Sequence, residues 1–155
     1  MERRVCSSCS QVHYLNPRVI VGTLPIWEGK VLLCRRNIEP RLGFWTVPAG
    51  FLEMGESMAE GAIRETIEES RAAVAVRHLH GTYDITRIGQ IYVLYVADML
   101  SDHFEPTAES REVGLFGRDQ IPWDQLAFKV VKQALLQYFD EPRPANGDPF
   151  GWTPD

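Results

Sequence analysis

The sequence predicts an α/β fold in which a mixed β-sheet is flanked by helices. Several runs along the chain are rich in β-branched residues and end at turn residues, which is typical of strands. Two helices are predicted among these strands, and this order favours helices packed on the faces of a sheet. The composition is that of a globular domain, with 155 residues, 45% hydrophobic and 24% charged. A chain of this length buries enough surface for its own core, so we expect one main domain.

The predicted strands begin with a hairpin. Residues 18–26 predict a strand, residues 27–30 a turn and residues 31–36 the return strand. After a loop, residues 44–48 predict a short strand. Later strands are predicted at 74–78, 80–85, 91–97 and 112–116.

Both helices carry their own sequence signals. Ser57 and Glu60 have the spacing of a capping box, which predicts a helix over residues 58–70. The second helix is predicted over residues 126–139 because apolar residues recur every three to four positions. These residues are Val130, Val131, Ala134, Leu135 and Tyr138.

Two polar segments flank the predicted domain at residues 18–140. Residues 1–17 form an N-terminal arm, and residues 141–155 form a tail with four prolines and two glycines. The large hydrophobic residues of the tail are Phe150 and Trp152, too few for a core. We expect the tail to be either a mobile extension or a strap across a neighbouring surface.

The charge of the chain argues against several kinds of partner. Sixteen Lys and Arg against 21 Asp and Glu give a net charge of −5, which disfavours binding to nucleic acid or to anionic membranes. No apolar run reaches the roughly 20 residues that span a bilayer, and the N-terminus lacks the apolar stretch of a secretory signal. We therefore expect a cytoplasmic protein without nucleic-acid or membrane partners.

The three cysteines favour a reducing compartment over a disulfide framework. Cys6 and Cys9 have CxxC spacing, which is half of a zinc knuckle, whereas Cys34 lies in a predicted strand. A four-ligand structural site needs two more ligands, and His13 is the only nearby candidate. We therefore expect no structural zinc within one chain.

Three carboxylates of the first helix share one face. On a wheel of about 100° per residue, Glu68 and Glu69 lie within about 60° of Glu65. Like charges at this spacing destabilise an isolated helix. The face is therefore either a solvated acidic surface or a cluster for a hard divalent cation such as Mg²⁺, which carboxylates hold together with substrate phosphates.

The residues around these carboxylates match a known pattern. The stretch 50–72 resembles the Nudix box, and every fixed glycine, glutamate and arginine through Glu69 is in place. Thr66 and Ala72 replace bulky aliphatic residues of the box, and Arg71 replaces its last glycine. The matched residues are Gly50, Glu56, Arg64, Glu65, Glu68 and Glu69.

The resemblance covers most of residues 5–139, where other segments are similar to plant-type ADP-ribose and FAD pyrophosphatases. It implies a Nudix α/β/α sandwich that uses Mg²⁺ or Mn²⁺ to hydrolyse a nucleoside diphosphate derivative, such as ADP-ribose or FAD, to two monophosphates. The arm resembles the remnant of a zinc ribbon. The similar segments are 33–40, 45–53, 88–92 and 122–128.

The resemblance also implies metal ligands. Glu65, Glu68 and Glu69 match the metal-binding carboxylates, with Glu69 as the first choice. The carbonyl of Ala49, just before the glycine of the box, corresponds to a backbone ligand.

Other residues are expected to support this centre. The resemblance implies that Arg64 holds the glutamates in place and that Glu56 is a supporting carboxylate. Gly50 is expected to provide backbone freedom where strand meets catalytic loop. One further glutamate from outside the box, Glu109 or Glu112, is expected as metal ligand or general base, and spacing does not choose between them.

The candidates for substrate binding are cationic and aromatic. Arg35 or Arg36 is a candidate to bind a substrate phosphate. The alternative is that the side chain is simply solvated at the surface. Phe51, Trp45 and Tyr92 are candidates to stack on adenine or flavin, and each is equally explained as a core residue.

Other functions and an assembly state follow from the same observations. The alternatives are a Nudix hydrolase of another substrate, such as a nucleoside triphosphate or capped RNA, and a sensor that binds ADP-ribose without cleaving it. Related pyrophosphatases are commonly homodimers. We therefore expect a homodimer whose interface includes the arm or the tail.

Overall fold

The computed structural model describes residues 3–154. Residues 1, 2 and 155, which belong to the predicted arm and tail, lie outside the described residues. The strands and helices, in chain order, are β1 (Arg4–Val5), β2 (Val12–His13), β3 (Arg18–Trp27), β4 (Lys30–Arg36), β5 (Trp45–Thr46), β6 (Ala49–Phe51), α1 (Met58–Ser70), β7 (Val74–Ile85), β8 (Gln90–Met99), β9 (Ser110–Phe116), α2 (Lys129–Asp140) and β10 (Phe150–Trp152).

The main sheet has eight strands and is mixed, as predicted. Its central path runs β10-β7-β8-β3-β4-β5, while β6 pairs with β3 and β9 pairs with β4. The pairs β3 with β8 and β10 with β7 are parallel, and the other pairs of this sheet are antiparallel. β1 and β2 form a separate two-stranded hairpin in the arm.

The two helices cover opposite faces of this sheet. Neighbouring residues of a strand point to opposite faces of a sheet. On β3, the neighbours Ile20 and Val21 are both buried. Ile20 packs in the core cluster that contains Val130 and Leu135 of α2. Val21 packs with Ala62 of α1. The fold is therefore the predicted α/β/α sandwich.

Helix α1 occupies the predicted residues and packs closely on β3. Its N-terminus has both hydrogen bonds of the predicted capping box between Ser57 and Glu60. The Thr66 hydroxyl donates to the Ala62 carbonyl at 2.7 Å and lies 2.6 Å from the Thr23 hydroxyl. Thr66 therefore replaces the aliphatic residue of the box without leaving its buried hydroxyl unpaired.

Helix α1 ends at Ser70 although Arg71 stands where the box has glycine. Arg71 has a left-handed backbone with φ of 60°, and its N–H donates to the Ile67 carbonyl at 2.9 Å. The helix-ending turn therefore forms without a glycine.

Several element boundaries differ from the prediction. The strands predicted at 74–78 and 80–85 are one strand, β7, interrupted by two shifts in register against β8. The strand predicted at 44–48 is shortened to β5 at residues 45–46, and β6 was not predicted. Helix α2 begins at residue 129 rather than 126, because the Ala127 N–H donates to the Trp45 carbonyl and keeps this backbone extended.

The tail folds back on the domain. Residues Phe150–Trp152 form β10, which pairs in parallel with residues 81–83 of β7. The Phe150 ring lies 5.2 Å from the His80 ring, measured between centroids. A Cβ on Gly81 would lie 2.9 Å from the Phe150 carbonyl oxygen, so glycine permits the close approach of the two strands. The tail thus acts as a strap, and the strand it adds was not predicted.

The arm carries Cys6 and Cys9 in the turn between β1 and β2, and both are free thiols. Cys34 is fully buried on β4, where burial raises the pKa of its thiol. The expectation of no zinc within one chain stays a prediction. Within residues 3–154, no helix is both long and apolar enough to cross a membrane.

The buried His80 predicts a loss of stability in mild acid. Its Nε2 donates to the Ala134 carbonyl at 2.9 Å, and burial lowers the pKa of the ring from 6.5 to about 4, with His78 and Arg143 adding to the effect. The unfolded chain binds a proton at this ring below pH 6.5, whereas the folded chain does so only near pH 4. Stability from this group is therefore complete above pH 6.5 and falls by up to about 3 kcal/mol towards pH 4.

Urea unfolding between pH 7 and pH 4.5 tests this expectation. His80→Gln keeps a donor for the Ala134 carbonyl but does not titrate, so its stability should fall less steeply over this range. The exposed His103→Gln is the matched control and should follow the wild type. Equal slopes for wild type and His80→Gln would contradict the assignment.

Candidate active site

The acidic face of α1 is divided between a buried and an exposed part. Glu65 and Glu69, one helical turn apart, are only 8% and 7% exposed. Glu68 is directed to solvent. The simple solvated acidic face is therefore excluded for Glu65 and Glu69, since burying carboxylates is costly unless they are paired or bind a cation.

Gly50 on β6 provides the space for the Glu65 carboxylate. A Cβ at this position would overlap the three atoms of that carboxylate. The backbone of Gly50 is not in the left-handed region. The backbone freedom expected from the sequence is therefore not what requires glycine here, and the correction is that the requirement is steric.

Arg64 is the hub of the carboxylates, as expected. Its guanidinium donates two hydrogen bonds of 2.8–2.9 Å to the two oxygens of Glu56. It also donates to Glu65 at 2.8 Å, to Glu68 at 3.1 Å and to the Phe51 carbonyl at 3.1 Å. One side chain therefore connects α1, the loop before it and β6.

Glu56 is held in the ionised form on the other side of this hub. It accepts both Arg64 hydrogen bonds and one from the Glu53 N–H at 2.8 Å, and the guanidinium lowers the pKa of Glu56 to about 2. A Cβ on Gly61 would lie 2.7 Å from a Glu56 oxygen, so this helix glycine makes room for the ion pair.

Glu69 is the most strongly perturbed carboxylate. Burial raises its pKa to about 8, and the nearby Glu65 and Glu109 act in the same direction. Arg36 and the backbone amide of Ala49 oppose this rise. Burial also raises the pKa of Glu65, against the effect of Arg64. These carboxylates therefore repel one another in a site where a cation would offset the repulsion.

The two glutamates outside the box lie in different surroundings. Glu109, just before β9, is close enough to raise the pKa of both Glu65 and Glu69. Glu112 lies within β9 and pairs instead with Arg35 at 3.1 Å. The structure thus brings Glu109, and not Glu112, to the buried carboxylates.

The loop that carries Glu109 is fixed by hydrogen bonds. The Thr107 hydroxyl donates to the Glu69 carbonyl at 3.3 Å and accepts from the N–H groups of Glu109 and Ser110. The Asn37 N–H donates to the Glu109 carbonyl at 2.7 Å. Sequence reasoning missed Thr107 and Asn37, although a threonine followed by polar loop residues is a signal for such a turn.

The candidate substrate-binding residues separate into core and surface. Trp45 and Tyr92 are buried in the main core cluster, whereas Phe51 is 47% exposed. Arg35 is held by Glu112 and by the Gly43 carbonyl.

Arg36 links the carboxylates to the aromatic residues. Burial raises the pKa of both Glu69 and Tyr92, and Arg36 lies near enough to oppose both rises. Its guanidinium lies 5.3 Å from the Phe128 ring centroid. Arg18, which sequence reasoning also missed, lies 4.9 Å from the Phe51 ring centroid. No local sequence signal marks these cation–π pairs, because they join residues distant in sequence.

The arrangement offers only oxygen donors, which suit a hard divalent cation. The donors are carboxylates of α1 and of the Glu109 loop, and the carbonyl of Ala49 at the start of β6. In the described part of the chain, no three Cys, His, Asp or Glu side chains already converge as the ligands of one metal ion. The centre is thus a group of mutually repelling carboxylates around a fixed arginine.

The chain is similar to known proteins in both sequence and structure. The family profile described as NUDIX domain matches residues 16–138. A solved Nudix hydrolase from Nitrosomonas europaea is 45% identical, with a TM-score of 0.90 over 97% of this chain and 86% of that one.

Two curated relatives are more distant. The ADP-ribose pyrophosphatase of Methanocaldococcus jannaschii is 29% identical over 129 residues, which are 79% of this chain and 75% of that protein. The NAD-capped RNA hydrolase NudC of Edwardsiella ictaluri is 41% identical over 73 residues, 46% of this chain and 27% of that protein. The chain thus matches about a quarter of the length of that RNA hydrolase.

Fold, site and relatives define a hydrolase. The matched profile covers most of the domain and includes the whole box, so the chain belongs to the Nudix family.

Proposed function

We propose that the chain is a Mg²⁺-dependent pyrophosphatase that hydrolyses the diphosphate bond of a nucleoside diphosphate derivative, such as ADP-ribose or FAD, to two monophosphates. The observation that carries this proposal is the approach of Glu65, Glu69 and Glu109 beside the backbone of Ala49, with Arg64 bonded to Glu65 and Glu68. The name of the M. jannaschii relative supports the same substrate class.

The chemistry of the donor set fits the proposed metal. Glu65, Glu69, Glu109 and the Ala49 carbonyl would hold Mg²⁺ or Mn²⁺, with Glu68 as the outer carboxylate. A bound divalent cation neutralises the diphosphate and acidifies a coordinated water. An acidic chain with a net charge of −5 needs such a cation to accept an anionic substrate.

The remaining roles belong to residues of the chain itself. Arg64 orients the carboxylates of Glu65 and Glu68. Glu109, whose loop is held by hydrogen bonds, would act as a general base or as a further metal ligand. Arg36, close to Glu69, would bind a substrate phosphate. Phe51 leaves an exposed ring for a base, whereas Trp45 and Tyr92 are buried in the main core cluster.

Two alternatives are weaker. A capped-RNA hydrolase has the support of the second curated relative, but the acidic charge of this chain disfavours a long polyanion. A sensor without activity has no use for the complete set of box glutamates. Homodimerisation through the arm or the tail, and a cytoplasmic location, stay predictions.

A substrate panel tests the proposed function. We expect ADP-ribose or FAD to yield two monophosphates in Mg²⁺ and nothing in EDTA, measured by product chromatography. NADH, nucleoside triphosphates and capped RNA complete the panel. Metal-dependent cleavage of capped RNA alone would favour the first alternative, and binding of ADP-ribose without cleavage would favour the second.

The two loop glutamates give a matched pair of variants. Glu109→Gln should lower kcat by about two orders of magnitude, which is typical of a lost acid–base group. Glu112→Gln should change kcat less than about threefold, because Glu112 is exposed and pairs with Arg35 instead of approaching the buried carboxylates. Steady-state kinetics in Mg²⁺ checks both. A larger loss for Glu112→Gln than for Glu109→Gln would reverse the assignment.

A further inference from the structure

The C-terminal strand places an aromatic residue in line with the active-site strand. Directly paired residues of neighbouring strands point to the same face of a sheet. The pairing register joins residues of β6, β3, β8, β7 and β10 into one row across the sheet. We name it the aromatic row; in order it is Phe51, Ile20, Tyr92, Tyr83 and Trp152.

This row lies on the face of α2 and connects to the catalytic centre. Ile20, Tyr92 and Tyr83 belong to the core cluster packed by α2, and Trp152 is partly buried against it. Arg36 lies close to both Tyr92 and Glu69. The Phe51 carbonyl accepts a hydrogen bond from Arg64.

The three central residues of the row are buried, whereas its two ends, Phe51 and Trp152, are exposed and half-buried. The Tyr83 hydroxyl donates to Gln137 of α2 at 2.8 Å, so the helix closes one side. Two residues further out on the same strands, Arg18, Gln90 and Ile85 are paired with one another, and all three are exposed or half-buried. A ligand therefore has an accessible floor beside the row.

The distances suit one arm of a two-part substrate. Strands are spaced about 4.8 Å apart, so Trp152 lies two spacings, or about 10 Å, from Tyr92. A substrate held by its diphosphate near Arg36 and Glu69 must lay one moiety along this floor. β10 adds a wall at its far end, with Trp152 as the large side chain.

We propose that Trp152 is a substrate-binding residue of this enzyme and that it contacts an aromatic base or flavin at the end of the substrate away from the cleaved diphosphate. The inference rests on the proposed pyrophosphatase function. The tail is thereby part of the substrate-binding face as well as a strap on the sheet. Aromatic side chains bind bases by stacking with little dependence on their identity.

The test measures kcat and KM for ADP-ribose and FAD in Mg²⁺. Trp152→Ala should raise KM for at least one of them about tenfold, with kcat within about twofold, because stacking is lost and the carboxylates are unchanged. Trp152→Phe should restore KM to near the wild-type value. Trp152→Leu keeps apolar packing without an aromatic ring and covers the case in which the alanine variant does not fold.

Trp27→Ala is the matched control, because it removes a tryptophan at the opposite end of β3. It should lower the melting temperature without raising KM. The inference is overturned if folded Trp152→Ala and Trp152→Leu keep KM within about twofold of wild type for both substrates. It is also overturned if Trp27→Ala raises KM equally.

Equilibrium binding in Mg²⁺, measured in variants that also carry Glu109→Gln to slow turnover, separates this inference from the proposed function. Titration of ADP-ribose and FAD into Glu109→Gln and into the double variant Glu109→Gln/Trp152→Leu should show about tenfold weaker binding for the double variant. If the wild type cleaves neither compound but this difference persists, the pyrophosphatase proposal fails and the binding role of Trp152 stands. If the wild type cleaves the compounds and neither KM nor binding depends on Trp152, the pyrophosphatase proposal stands and the binding role of Trp152 fails.

Discussion

Glu69→Gln should lower kcat by about three orders of magnitude while the fold is retained. Glu69 is 7% exposed and faces Glu65 and Glu109, so a neutral amide removes the negative charge where a divalent cation is proposed to bind. Loss of one preorganised electrostatic contact in such a site costs about 10²–10³ in kcat, and loss of a metal ligand belongs at the upper end. Kinetics over a range of Mg²⁺ concentrations measures the effect.

Glu68→Gln provides the comparison on the same helix, because Glu68 is exposed and pairs only with Arg64 in the described structure. The loss of kcat in Glu68→Gln should be smaller than that in Glu69→Gln by at least about tenfold.

Stability measurements distinguish a fold defect from a lost metal ligand in Glu69→Gln. The raised pKa of Glu69 means that ionising it costs stability as the pH rises from 4.5 towards 8, so in EDTA the stability of Glu69→Gln relative to the wild type should increase over this range. A folded Glu69→Gln with near-normal kcat would refute the metal assignment.

Arg64→Lys should lower kcat by about two orders of magnitude although the positive charge is kept. The guanidinium makes a two-pronged pair with Glu56 and separate bonds to Glu65 and Glu68. An ammonium group cannot reproduce this fixed fork. Carboxylates displaced by about 1 Å are enough for a hundredfold loss in rate.

Arg77→Lys is the matched control for this substitution. Arg77 also makes a two-pronged pair, with Asp98, but at the surface and away from the carboxylates. It should leave kcat unchanged. Because Arg64 acts by positioning, KM for Mg²⁺ should rise in Arg64→Lys, and near wild-type kinetics in that variant would contradict its role as the hub.

Much of the fold was predictable because its signals are local. The capping box of Ser57 and Glu60 fixed the start of α1 correctly, and β-branched runs located β3, β4 and β8. The register shifts of β7, the formation of β6 and the late start of α2 depend on contacts with other strands. The pairing of β10 was not predictable because only three residues form it and its partner lies some 70 residues away.

The site shows the same division. The box places Glu65 and Glu69 on one face of α1, so spacing alone brought them together. The choice between Glu109 and Glu112 required the path of the loop, which Thr107 and Asn37 determine. The requirement for glycine at position 50 also came from a tertiary contact, the space taken by the Glu65 carboxylate.

The left-handed Arg71 shows how a family signature can change without loss of the shape it describes. A non-glycine residue in this conformation costs about 1–2 kcal/mol. The turn persists because its neighbours Ser70 and Ala72 are fully buried, and the Ala72 N–H donates to the Ser70 hydroxyl. Tertiary packing thus makes the glycine dispensable. A pattern search that demands glycine here will overlook active members of the family, whereas one that weights Glu65, Glu69 and Gly50 will find them.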